Sequence, residues 1–125
     1  MKTTIGLINI KDGKILLVKK RETWILPGGK PEDSDMSDKE TLLREFEEEL
    51  PGTKISIGDF YKSFFGKTPH SKTELELRSY FGDVKNLGKS SAEISGVCYE
   101  SDFVNCNLSE NAKKAISSLK EDGYL

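Results

Sequence analysis

Four consecutive apolar residues, Ile15-Leu16-Leu17-Val18, follow the polar turn Lys11-Asp12-Gly13-Lys14. Successive side chains of a strand point to opposite faces, so an unbroken apolar run predicts a strand buried on both faces. Asp and Gly tolerate positive φ, and such a pair between two apolar runs signals a hairpin with the upstream segment 3–10, which carries Ile5, Leu7, Ile8 and Ile10. Further strand signals follow. Trp24-Ile25-Leu26 reads as a short strand ended by Pro27-Gly28-Gly29, and Ile55 and Ile57 open an alternating stretch that runs to Phe65. Leu75, Leu77 and Phe81 share one strand face, with Glu74, Glu76, Arg78 and Tyr80 on the other. Residues 94–99 read as a late strand.

Two helices interrupt this pattern. Ser37-Asp38-Lys39-Glu40 is a capping box, and Pro51-Gly52 is a stop, so a helix is expected over residues 37–50. Leu42, Leu43, Phe46 and Leu50 are its expected buried stripe. Ser109 caps a second helix whose stripe is Ala112, Ala115, Ile116 and Leu119. Strands with helices at two points give an α/β (α+β) chain with a mixed β-sheet between helices. The 125 residues fit a single domain spanning 1–125.

The formal charge is −2, which lacks the basic excess of a nucleic-acid polymer binder. No apolar run approaches the roughly 20 residues of a membrane span, and the N-terminus has no signal-peptide pattern. Cys98 and Cys106 show neither metal-ligand spacing nor a disulfide framework, so two reduced thiols in a cytoplasmic protein are expected. His70 is the sole histidine, which argues against a histidine-based zinc site.

The chemistry-bearing segment is Arg44-Glu45-Phe46-Glu47-Glu48-Glu49-Leu50. At about 100° per residue, Glu45, Glu48 and Glu49 fall within one arc and Glu47 points elsewhere. Like charges at this spacing repel by a few tenths of a kcal/mol per pair. A hard divalent cation removes that cost, and carboxylate oxygens suit Mg²⁺, with Mn²⁺ as the alternative. Arg44, one turn before Glu48, can orient that carboxylate. A merely solvated acidic face is the plain alternative. Upstream, Gly28-Gly29 lets backbone approach a bound ion or phosphate closely.

Together Leu26-Pro27-Gly28-Gly29-Lys30, the following loop and Arg44-Glu45-Phe46-Glu47-Glu48-Glu49 resemble the box of the Nudix (MutT-like) hydrolases, G-x5-E-x7-R-E-U-x-E-E-x-G-U, over residues 29–52. The chain departs from that box in four ways. Asp35 stands in place of Glu, Met36 is one extra residue before the cap, Pro51-Gly52 displaces the box glycine, and Phe46 replaces an aliphatic. The lengthened loop is expected to shift the Asp35 carboxylate from its usual place.

The resemblance implies an α/β/α sandwich and Mg²⁺-dependent hydrolysis of a diphosphate bond in a small nucleotide-like substrate, such as a nucleoside triphosphate. It implies that Glu45, Glu48 and Glu49, with the Gly28 carbonyl, hold the metal while Arg44 orients the glutamates. Glu93, in the loop before the late strand, is the candidate carboxylate from outside the box, taking a proton as base. The alternative is a Nudix-fold module that binds a nucleotide without cleaving it. Arg78, Tyr80 and His70 are weaker candidates for substrate contact. Trp24, Phe64 and Phe65 read as core.

Overall fold

The computed structural model describes residues 2–68, 73–91 and 93–125. The first hairpin forms where the Asp-Gly pair places it. Asp12 and Gly13 adopt φ of 52° and 76° between β2 (Ile10–Lys11) and β3 (Lys14–Lys20). Ile15, Leu16, Leu17 and Val18 are all fully buried. Strand β3 accounts for this by standing mid-sheet, with β2 and β4 (Thr23–Ile25) along one edge and β8 (Gly96–Glu100) along the other.

A second sheet has the order β5-β1-β7-β6, from β1 (Lys2–Ile8), β5 (Gly28–Gly29), β6 (Lys54–Lys67) and β7 (Glu74–Lys85). Its β1–β7 pair is parallel and the others antiparallel. Gly28 and Gly29 thus do more than end a strand: they are one, paired with Gly6 and Ile5. The chain crosses between the sheets at Asn9. This buried side chain donates from Nδ2 to the Gly82 carbonyl (2.8 Å) and accepts from the Tyr99 hydroxyl (2.6 Å).

Helix α1 (Asp38–Glu49) is capped by Ser37, whose side chain accepts from the Glu40 amide, and α2 (Glu110–Glu121) is capped likewise by Ser109. Alternation separates their packing. Ile5, Leu7, Leu16 and Val18 meet Leu42, Phe46 and Leu50 of the α1 region, whereas Ile8, Ile15 and Leu17 meet Ala115, Ile116 and Leu119 of α2. The result is the expected α/β/α sandwich, with its strands divided between two sheets.

Four expectations need correction or fall outside the described residues. Leu43 is 50% exposed, because α1 buries Thr41, Leu42, Phe46 and Glu49, a face rotated roughly 70° from the one predicted. Glu49, expected on an arc away from the buried stripe, therefore lies in the middle of the buried face. Phe65 is 45% exposed and is not core, while Phe64 and Trp24 are partly buried against the α2-side core. His70 lies outside the described residues.

Asn9→Ala should destabilise the fold by about 2–3 kcal/mol, since it strands two hydrogen-bonding groups at the crossing between sheets. The check is the shift in urea-unfolding midpoint at constant m-value.

Candidate metal and substrate site

Arg44 organises the acidic end of α1. Its Nε and Nη2 donate to the two Asp35 carboxylate oxygens (3.0 and 2.9 Å), and Nη2 also donates to the Lys30 carbonyl (2.9 Å). Its Nη1 reaches Glu45 (3.1 Å), Glu48 (3.4 Å) and Glu32 (3.4 Å). Asp35 thus docks on Arg44 across the longer loop. Met36, the extra residue relative to the box, points outward at 84% exposure. Asp35 also accepts from the Thr41 hydroxyl and the Glu32 amide (both 2.9 Å). The Arg44 guanidinium foremost, then these donors, hold the Asp35 carboxyl well below the usual carboxylate range, and Asp35 in turn raises Arg44.

The three glutamates sit at graded depth. Glu48 is exposed, Glu45 is half-buried beneath Gly29, and Glu49 is 3% exposed. Burial pushes the carboxyls of Glu45 and Glu49 up, opposed by Arg44 and Lys20 respectively. Glu49 Oε2 lies against Lys20 Nζ and accepts no other bond among the described residues. Lys20 was not anticipated. Its only sequence signal is a charge closing the strand whose Ile15–Val18 run is buried.

The glycines explain how backbone comes so close. Gly28 has φ of 146°, and a Cβ there would strike the Ile5 carbonyl, while one on Gly29 would strike the Glu45 carboxylate. Glu47 is exposed and does not line the cavity described next.

A cavity of about 580 Å³ opens beside this face. Lys20, Gly28, Gly29, Glu45, Glu48 and Glu93 give it a polar wall, and Ile25, Leu26, Leu75, Leu77 and Ala112 an apolar one. Glu93 arrives on a loop tied to the end of α1, since the Ser91 amide donates to the Glu49 carbonyl (2.8 Å) and the Ile94 amide to the Ser91 carbonyl (3.1 Å). Its charge adds to those raising Glu49.

The first turn of α2 contributes Ser109 and Asn111, neither foreseen as site residues. It is anchored by Ser109 N–H to the Trp24 carbonyl (3.1 Å) and by Asn107 Nδ2 to the Glu22 carbonyl (2.8 Å). Arg78 and Tyr80 do not line the cavity. They hold Asp38 in the first turn of α1, with Tyr80 donating at 2.6 Å and its hydroxyl pushed up to about 12 by burial and by Asp38.

Among the described residues no three acidic, histidine or cysteine side chains converge as a ready metal cluster. The reason is visible, since Glu45 and Glu48 turn toward Arg44 and Glu49 toward Lys20. The donor set nonetheless fits a hard divalent cation: clustered carboxylate oxygens, one of them buried with an ammonium as its only partner.

A NUDIX domain profile matches residues 2–114, and the chain belongs to the Nudix hydrolase family. Its fold is similar to a MutT Nudix hydrolase from Burkholderia pseudomallei, with 19% identity, 93% of this chain and 95% of that one covered, and a TM-score of 0.78. It is similar also to a MutT protein from Methanosarcina mazei Go1, with 20% identity, 99% and 96% covered, and a TM-score of 0.79. A UDP-X diphosphatase superposes with a TM-score of 0.80 at 23% identity, covering 99% of this chain and 64% of that one. No curated protein sequence matches the chain. No helix among the described residues is long and apolar enough to cross a membrane.

Because Asp35 is ionised more readily in the folded than in the unfolded chain, its contribution to stability is present above about pH 4 and lost as pH falls. Asp35→Asn should therefore lower the melting temperature clearly at pH 7, and the gap to wild type should close toward pH 2. A gap independent of pH would mean that the ionised carboxylate is not what stabilises the loop.

Proposed function

We propose that the chain is a Mg²⁺-dependent pyrophosphohydrolase of small nucleotides, with a nucleoside triphosphate or another nucleoside diphosphate derivative as substrate. The observation that carries this reading is that Glu45, Glu48 and Glu93 all line one cavity, with buried Glu49 on the same helix as Glu45 and Glu48. Binding alone does not require such crowding of like charge, whereas metal-assisted hydrolysis has a use for it. The cavity has the size of small-molecule sites, and its apolar wall suits a base or sugar. The name of one structural neighbour, UDP-X diphosphatase, agrees with this substrate class.

In this reading Glu45, Glu48, Glu49 and the Gly28 carbonyl hold the metal. When bound, it supplies a Lewis acid for phosphoryl oxygens and lowers the pKa of water. Arg44, fixed by Asp35, sets the directions of Glu45 and Glu48. Glu93, on its tethered loop, takes the proton of the attacking water. Lys30 and Lys20 border the cavity and offset phosphate charge. The two free thiols suit a reducing compartment such as the cytoplasm.

The test is a hydrolysis screen over nucleoside triphosphates, oxidised triphosphates, sugar nucleotides, ADP-ribose and dinucleoside polyphosphates, with Mg²⁺, Mn²⁺ or chelator. Metal-dependent release of a phosphate product from at least one is expected. Nucleotide binding without release would instead make the chain a binding module.

Glu45→Gln, Glu48→Gln and Glu49→Gln should each lower kcat/KM by about 10²-fold or more, the loss typical of removing one group that stabilises the transition state. Glu47→Gln should stay near wild type, as exposed substitutions do. A Glu47 effect as large as that of Glu48 would refute the helical-face assignment.

A further inference from the structure

We propose that Lys20 is an exchangeable counter-cation: its ammonium neutralises Glu49 in the metal-free protein, is displaced by the entering divalent cation, and is then available to a phosphate in the cavity. The inference rests on the metal-dependent reading above.

Three observations carry it. Glu49 lies mid-face on α1 at 3% exposure, where an unpaired carboxylate is costly. Lys20 is its only partner at Oε2, and Lys20 has no other ion pair or hydrogen bond through its side chain among the described residues. The two cations beside the acidic face also differ in how they are held. Arg44 is fixed by Asp35, Glu32 and the Lys30 carbonyl, whereas Lys20, at the end of β3, makes one close contact, with Glu49, and only a longer-range attraction to Glu45.

Lysine is a compact point charge on a flexible four-carbon stem, so it can swing without moving the backbone. Its side chain is 32% exposed and lines the same cavity as Gly28, Glu45, Glu48 and Glu93. Two cations on one carboxylate oxygen repel, and the doubly charged one, held also by Glu45 and Glu48, prevails. The displaced ammonium stays within the cavity, where a substrate phosphate is the partner that restores its pairing.

The experiment is titration of the metal-free full chain with Mn²⁺, following free Mn²⁺ by electron paramagnetic resonance, together with binding of inorganic pyrophosphate to the Mg²⁺-loaded protein. Lys20→Met should bind Mn²⁺ about tenfold more tightly than wild type, a coupling in the usual range for contacting residues. It should bind pyrophosphate about tenfold more weakly. Lys20→Arg, which keeps the charge, should stay near wild type in both. Lys20→Gln carries the same expectations as Lys20→Met if the latter does not fold. Unchanged or weaker Mn²⁺ binding by the neutral variants overturns the exchange, and unchanged pyrophosphate binding overturns the phosphate role. If the wild type binds Mn²⁺ and hydrolyses a substrate while the variants show no such differences, the proposal alone fails. If the wild type binds no Mn²⁺, the metal reading fails and takes the proposal with it.

Discussion

The bond between Arg44 and Asp35 fastens the loop that follows Gly28-Gly29 to the acidic helix, and the geometry of the site depends on it. The pair is bidentate and charge-assisted, the strongest kind of side-chain contact available to a loop. Through Nη2 the same guanidinium fixes the Lys30 carbonyl, and through Nη1 it fans out to Glu45 and Glu48. One side chain thus sets both the entry to the site and the directions of its outer carboxylates. A lysine could not substitute, since a point charge cannot grip a carboxylate at two atoms and a carbonyl together.

Behind that network is a problem of charge. Helix α1 carries carboxylates at graded depth, and the deepest, Glu49, occupies a place where an apolar residue would pack better. Burying an ion pair rarely stabilises a fold relative to apolar packing of the same volume. In the proposed metal reading the deep carboxylate is a ligand held in readiness, with Lys20 limiting the cost of its burial. The buried Thr41 follows the same logic on a smaller scale: its hydroxyl is a polar atom inside the α1 face, and it is tolerated because it donates to Asp35.

Much of this was legible in the sequence, for identifiable reasons. Ile15-Leu16-Leu17-Val18 announced a doubly buried strand, Asp12-Gly13 its turn, and Ser37 and Ser109 both helix starts, because each is a local rule of backbone geometry or patterning. The helical period alone separated Glu47 from Glu45 and Glu48, which line the cavity. What local rules missed was set by tertiary contact. The true buried face of α1 runs through Glu49 because Lys20, from a distant strand, makes a buried charge tolerable there; nothing within α1 signals that partner. Leu43 was misassigned for the same reason, since counting apolar residues places the stripe where hydrophobicity is greatest. Gly28-Gly29 looked like a strand terminator because composition does not show that β1 lies alongside to pair with it. The outward path of Met36 was equally invisible, as loop length fixes the number of residues and not which one is expelled.

The division of labour between the two helices follows from these contacts. Helix α2 is conventional, with an alanine, isoleucine and leucine stripe on the core and its first turn tied to Trp24. It stabilises the fold and brings an apolar wall, through Ala112, to the cavity. Helix α1 gives up part of its packing face to Thr41 and Glu49 and recovers order through ionic contacts from the Asp35 loop and from β3. Leu42, Phe46 and Leu50 keep the helix seated in the core, while its ionic contacts respond to charge: in the proposed metal reading, a divalent cation would alter the contacts of Glu45, Glu48 and Glu49. Chemistry and seating thus share one helix without competing for the same side chains, except at Glu49, where they meet.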